Sequence, residues 1–208
     1  PANNSWFNTP QRRFIFNLTD YTSRNINYSI FINGVSNGQN GIVVSGISNR
    51  TNITFTEGIR RVYLLGQDYL GRQKTSQVIT INIDLTAPVP QITTTNQTWY
   101  NKTNPNITIL ITDNMDTIIN YTVFVDGVAN KFGTVLTGIG TQVVLNNLAN
   151  GTHSLVVQGL DEAGNMANST PKIIYVDTVR PKISLLYPPV AYSVLNTSID
   201  LKFTVNDN

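Results

Sequence analysis

The sequence predicts an all-β chain built as tandem Greek-key β-sandwiches of about seven strands each, joined end to end. Three observations carry that prediction. Thr, Val, Ile, Tyr and Phe, which suit a pleated and half-buried surface, dominate the apolar runs, and Asn, Gly and Pro punctuate them. Within each run, apolar and polar residues alternate with a period of two, and no long stretch shows the 3.6-residue period of a helix. Finally, the chain repeats itself at an offset of 93 residues.

The offset aligns Trp6 with Trp99, Asp20 with Asp113, Tyr28 with Tyr121 and Phe31 with Phe124. It continues through Gly34 and Gly127, Asp68 and Asp161, Gly71 and Gly164, Asp84 and Asp177, and Pro88 and Pro181. In the first unit Phe14, Phe16 and Leu18 alternate with Ile15, Asn17 and Thr19. Tyr28, Ile30 and Ile32 then alternate with Asn27, Ser29 and Phe31, up to the turn at Asn33-Gly34. Val62 and Leu64 lead into Gly66-Gln67-Asp68, and residues 78–83 close the unit. The second unit matches with Ile107, Ile109 and Ile111, then Tyr121, Val123 and Val125, then Leu155 and Val157 before Asp161, and closes at 173–176. Alternation of this kind buries one face of each strand and wets the other, the pattern of antiparallel sheets packed face to face. Phe31 and Phe124 fall on the outward phase and are expected to pack under a loop, a neighbouring unit or another chain.

Proline marks the boundaries. Asp84-Leu85-Thr86-Ala87-Pro88 and Asp177-Thr178-Val179-Arg180-Pro181 each end one unit and open the next, and proline makes such linkers short and stiff. The expected division is 1–88, 89–181 and 182–208. Under the shift Pro1 corresponds to Thr94, so the first unit lacks the strand that residues 90–94 supply to the second. Residues 182–208 hold two strands at most, at 183–187 and 199–205, too little to enclose a core. They read as the opening of a third unit of a longer protein or as a strand donated to a neighbouring subunit.

Composition narrows the function. Charged residues are only 12% of the chain, about half the usual share, while 40% is hydrophobic, enough for a packed interior. The net charge is +2, but its cations are scattered, with only the pairs Arg12-Arg13 and Arg60-Arg61 adjacent. That is no nucleic-acid footprint. No apolar run is long enough to span a membrane. Cysteine is absent, which excludes a disulfide scaffold, thiolate zinc ligation and thiol catalysis.

Two features stand out in place of charge. Asn-x-Ser/Thr occurs 12 times, at Asn3, Asn17, Asn27, Asn49, Asn52, Asn96, Asn101, Asn106, Asn120, Asn150, Asn168 and Asn196, where chance gives roughly five. These are the expected glycan attachment sites, and sugars there would hydrate the outer faces in place of charge. The recurring acids Asp20, Asp113, Asp68, Asp161, Asp84 and Asp177 lie at strand ends and linkers, where a carboxylate accepts backbone N–H bonds and fixes a turn. The alternative for them is calcium, with Asp84 and Asp177 as the linker ligands. No other cofactor is expected.

Catalysis is not expected. His153 is the only histidine and has no counterpart in the first unit. The acid pairs Asp113/Asp116 and Asp161/Glu162, which could be weighed for glycosidic chemistry, do not recur as pairs. Trp6 and Trp99 suit core or interface packing, with sugar stacking as the alternative.

The Asp161-Glu162-Ala163-Gly164-Asn165 turn, the Asp-Thr-x-x-Pro linker at 177–181 and the Asn-Gly or Asp-Gly strand end together resemble the immunoglobulin-like repeat domains of bacterial and archaeal surface proteins. Asp68-Tyr69-Leu70-Gly71-Arg72 departs from the pattern, with Arg in the final place. The resemblance implies an Ig-like sandwich in an extracellular stalk, spacer, surface layer or adhesin, and the dense sequons are most similar to an archaeal surface glycoprotein. Its partners would be neighbouring repeats or identical subunits, together with covalent N-glycans. The preferred expectation is a structural stalk, layer or filament. An adhesin binding module and a filament polymerised by strand donation are the alternatives.

Overall fold

The computed structural model describes residues 1–187 and 200–207. Its described residues form strands, turns and loops, without helix.

The first sandwich comprises β1 (Ser5–Phe7), β2 (Gln11–Asn17), β3 (Asn25–Ile32), β4 (Val35–Val44), β5 (Ser48–Thr54), β6 (Gly58–Gln67), β7 (Gln73–Thr75) and β8 (Ile79–Ile83). The second comprises β9 (Val89–Ile92), β10 (Thr98–Tyr100), β11 (Asn106–Thr112), β12 (Ile118–Val125), β13 (Val128–Leu136), β14 (Thr141–Val144), β15 (Gly151–Leu160), β16 (Met166–Asn168) and β17 (Lys172–Val176). Beyond these, β18 (Lys182–Tyr187) pairs with β19 (Lys202–Asn206). The strands exceed the expected seven because each unit also has three-residue strands, β1 and β7 in one and β10 and β16 in the other, too short to show a period.

The two units share one topology. The larger sheet runs β1-β8-β6-β3-β4 in the first unit and β10-β17-β15-β12-β13 in the second, with β7 and β16 added on β6 and β15. The opposing sheet is β14-β11-β9 in the second unit and β2-β5 in the first. Consequently β11 is paired on both edges, whereas β2 pairs only with β5 among the described residues. In both units the short first strand of the larger sheet runs parallel to the last.

Local chemistry explains the turns. Asn33-Gly34 and Asp126-Gly127 adopt positive φ at both residues (52° and 82°, 50° and 80°), the two-residue hairpin turn whose twist suits the flanking strands. The glycine tolerates this conformation without penalty, and Asn or Asp tolerates it better than other residues.

Each unit has its own core. In the second, alternate residues of β11 (Ile107, Ile109, Ile111) pack against Ile119, Val123, Leu155, Val157 and Ile174. In the first, Phe14, Ile30, Ile53, Phe55, Val62, Ile81 and Ile83 form the interior. There Phe16, on β2, and Leu18, just after it, are only half-buried; among the described residues β2 has no partner on its second edge. The outward Phe31 is half-buried by stacking on Tyr63, with ring centroids 5.0 Å apart. Trp99 is 67% exposed and stacks on Tyr175 at 4.5 Å, so it lies outside the core.

Candidate functional site at the domain junction

The junction gathers buried polar groups from both units, and the linker builds it. After β8, Asp84 donates its backbone N–H to the Phe7 carbonyl (2.9 Å), and its Oδ1 accepts the N–H of Thr86 (3.1 Å). These bonds turn the chain so that the Asp84 side chain is fully enclosed. Pro88 then packs against Gly159 of β15, where an added Cβ would lie 3.2 Å from the proline Cγ. A linker held on both sides in this way is part of a fixed contact.

Three more carboxylates meet Asp84. Asp113 follows β11; its Oδ1 accepts the N–H groups of Met115 and Asp116, both at 2.8 Å. This turn brings Asp116 inward to 5% exposure. Asp161 follows β15, with Oδ1 accepting the Asn165 N–H and Oδ2 accepting the Asn165 amide, each at 2.7 Å. One carboxylate oxygen from each of Asp84, Asp113, Asp116 and Asp161 lies within 4.8 Å of all the others.

The electrostatics of this cluster are unfavourable as it stands. The Asp116 carboxyl is pushed up to about 6, first by burial and then by the charges of Asp113, Asp161 and Asp84. Burial also raises Asp84 above the ordinary carboxylate range, with Asp113, Asp161 and Glu57 adding to the effect of burial. Carboxylates this close and this dry favour losing a charge or gaining a cation. Moreover, the Oδ2 atoms of Asp84, Asp113 and Asp116 are buried without a hydrogen-bond donor.

Hydrogen bonds around the acids tie the units together. The Asn165 amide reaches the Asp84 carbonyl (3.0 Å) and the Thr86 carbonyl (3.3 Å) as well as Asp161. Glu57, from the loop before β6, accepts the Leu85 N–H (3.2 Å) and the Thr86 hydroxyl (2.8 Å), and also the Asn114 amide of the second unit.

The same end of the first unit is built differently. Asp20 and Asp68 occupy the places of Asp113 and Asp161, but Ser23 stands where Asp116 does and Arg72 where Asn165 does. Arg72 Nε donates to Asp68 Oδ2 at 2.6 Å, and its backbone N–H to Oδ1 at 2.8 Å. Burial opposes ionisation of Asp68, yet these bonds from Arg72 hold its carboxyl below the usual value. The Thr22 and Ser23 N–H groups do the same for Asp20.

Asp84, Asp113 and Asp161 are thus brought together, while Asp20 and Asp68 lie at the corresponding end of the other unit. Asp177 closes the second unit and accepts the Val179 N–H (2.9 Å). Pro88 is buried and Pro181 exposed. Sequence reading discounted Asp116 because it does not recur, and it missed Glu57, a single acid in the loop before β6. Non-recurrence at a position next to recurring acids was itself the available signal.

Among the sequons, Asn3, Asn17, Asn27, Asn52, Asn96, Asn101, Asn120, Asn150 and Asn168 are exposed, and Asn49 and Asn106 are half-buried. Asn106 Oδ1 is enclosed and its amide bonds Gln142 (2.9 Å). Asn196 lies outside the described residues. His153 places Nδ1 2.7 Å from Asp126 and Nε2 2.9 Å from the Ala149 carbonyl, so both ring nitrogens are engaged. No helix is long and apolar enough to cross a membrane among the described residues.

No protein-family model matches this chain, and no curated protein does. Solved structures similar to it include the fibronectin(III)-like modules of Clostridium thermocellum CbhA, at 15% identity and a TM-score of 0.44, covering 85% of this chain and 90% of that one. A 1.5-MDa bacterial ice-binding adhesin matches at 15% identity and 0.41, over 86% and 63% of the two chains. Chicken CNTN1 FN1–FN3 domains match at 13% and 0.39, over 83% and 64%. At these identities and scores none of the three informs the chemistry of the junction.

Proposed function

We propose that this chain is a structural segment of an extracellular glycoprotein, in which stacked Ig-like sandwiches form a stiff stalk, surface layer or filament. The observation that carries the reading is the junction. Asn165 bonds two linker carbonyls, Glu57 bonds the linker and Asn114, and Pro88 seats on Gly159. Each contact fixes the second unit against the end of the first, where a flexible string would leave the linker in water. Low charge together with exposed sequon asparagines supports a surface hydrated by sugars, and an archaeal source is part of the proposal. The role is mechanical rather than catalytic, and the single histidine is consumed in an ion pair and a carbonyl bond.

Small-angle scattering on the purified chain tests this. A sandwich of 6–8-residue strands with its end loops spans on the order of 35–45 Å. One unit stacked on the next therefore gives a narrow distribution of distances reaching about twice that, unchanged by ionic strength. A broad distribution characteristic of two freely jointed bodies would refute the reading.

A second reading, polymerisation by strand donation, is favoured by one observation. Among the described residues β2 has a partner on one edge only, where its counterpart β11 also pairs with β9. A strand from the 182–208 segment of another copy would complete that sheet. Concentration-dependent filaments that disappear when residues 182–208 are removed would support it.

A further inference from the structure

We propose that the junction binds one calcium ion, held by the carboxylates of Asp84 from the first sandwich and Asp113, Asp116 and Asp161 from the second. The donor set is entirely carboxylate oxygen, the choice of hard divalent cations, and no thiolate or imidazole is present to favour zinc. Calcium–oxygen bonds of 2.3–2.6 Å place opposed ligands roughly 4.6–5.2 Å apart, and the four oxygens already lie within 4.8 Å of one another. Magnesium would draw opposed ligands to about 4.1 Å and retains water in place of a full carboxylate cage.

Two further observations point to an ion. Buried polar atoms in folded proteins almost always have a partner, yet Oδ2 of Asp84, of Asp113 and of Asp116 has none. Asp84 and Asp116 are 0% and 5% exposed, so bulk water does not serve them. A proton shared by Asp84 and Asp116 would satisfy the free oxygens of both and still leave that of Asp113 bare. A single cation serves all three. The remaining oxygens are already oriented, since Oδ1 of Asp84, of Asp113 and of Asp161 accepts backbone N–H groups, the outer-shell support that ligating carboxylates usually have.

The repeat supplies an internal comparison. In the first unit the fourth acid is replaced by Ser23, and Arg72 brings a guanidinium to Asp68. In the second unit the neutral Asn165 stands in the arginine's place while the cluster gains Asp116. One end carries its positive charge on a side chain; the other has an extra carboxylate and, among the described residues, no side-chain cation bonded to its acids. The difference in charge is what an external cation would make good. Because Asp84 alone comes from the first unit, the bound ion would cross-link the two sandwiches. This stiffening deepens the stalk reading and rests on it; the binding itself does not.

The test is calcium chloride titration of the whole chain after EDTA treatment and dialysis, followed by calorimetry and by thermal unfolding. The expected result is one ion per chain with Kd of about 10⁻⁵–10⁻³ M. Calcium at a hundredfold excess over Kd should raise the unfolding temperature of the second unit by roughly 10 °C. Asp116→Asn should weaken binding at least about tenfold, since affinity follows ligand charge, while its metal-free unfolding temperature equals or exceeds that of the parent. Asp126→Asn, outside the cluster, should bind as the parent does. An unfolding temperature unmoved by 10 mM calcium (about tenfold above the weakest expected Kd) would overturn the proposal, as would full affinity in Asp116→Asn. Magnesium binding as tightly as calcium would overturn the assignment of the ion. A chain that binds one calcium ion yet scatters as two freely jointed bodies would refute the stalk reading and leave the site standing.

Discussion

Replacing Gly159 by alanine should destabilise the second sandwich, while the same change at its counterpart Gly66 should stabilise the first. At Gly159 a new methyl group meets Pro88 Cγ at 3.2 Å and both Ile111 Cγ2 and Pro88 Cβ at 3.4 Å. The proline ring cannot rotate away, because the linker bonds on either side hold it. Overpacking of this kind costs about 1–3 kcal/mol. Against it stands the gain of about 0.4–1 kcal/mol from restricting the unfolded chain, available because neither glycine has positive φ. The net loss is about 0.5–2 kcal/mol, and 1 kcal/mol corresponds to roughly 4–8 °C in a unit of this size. At Gly66 the nearest atom is Leu18 Cδ2 at 3.5 Å, ordinary contact, so the entropic gain prevails. Each unit holds one tryptophan, Trp6 or Trp99. Urea unfolding followed by Trp99 emission in a Trp6→Phe background, and by Trp6 emission in a Trp99→Phe background, reads them separately. Shifts of the same sign at the two positions would refute the linker packing deduced here.

Ile109→Ala, at a side chain with no exposure, should cost about 2–5 kcal/mol, whereas Ile15→Ala, at 65% exposure, should stay within about 0.5 kcal/mol; urea midpoints decide. The Asp126–His153 pair should make stability depend on pH. Burial opposes the His153 charge, but the Ala149 carbonyl and Asp126 raise its pKa above the ordinary 6.5, so its contribution is complete below 6.5 and lost as pH rises through the raised value. Asp126 is likewise opposed by burial but lowered below 3.8 by His153 and the Ser154 N–H, so its contribution is present above 3.8 and lost as pH falls through the lowered value. The difference in unfolding temperature between the parent and Asp126→Asn should therefore be largest between about pH 4 and 6.5 and shrink on either side. Finally, glycopeptide mass spectrometry of native material should find Asn27, Asn101, Asn120 and Asn150 occupied and Asn106 bare, because its carbonyl oxygen is enclosed and its amide engaged.

The sandwich fold was legible because its signals are local and repeated. The alternation over Ile107, Ile109 and Ile111 specifies which face is buried, and Asp126-Gly127 specifies its hairpin. The short strands Ser5–Phe7 and Thr98–Tyr100 were not legible, since three residues hold no period and their pairing is with strands some 75 residues away. The junction was half legible. Asp84, Asp113 and Asp161 recur and invite a structural reading, but their meeting depends on how one unit docks on the next, which no periodicity encodes. Asp116 was passed over because it lacks a counterpart, although a site shared between units needs its fourth ligand only where the linker arrives. Trp99, for which core packing was one expectation, lies outside the core, stacked on Tyr175.

The parallel pairing of β10 with β17 has a mechanical consequence. The two strands hydrogen-bond in register from Thr98 with Ile174 to Tyr100 with Val176, extended by Gln97 N–H to Ile173 and Asp177 N–H to Tyr100. Tension along the chain, once it has stripped β9, pulls β10 and β17 in opposite directions along their own axes. The bonds between them are then loaded side by side and must fail together, rather than one after another as at the end of an antiparallel hairpin. Each sandwich thereby resists stretching most strongly where the short first strand of its larger sheet pairs with its last strand.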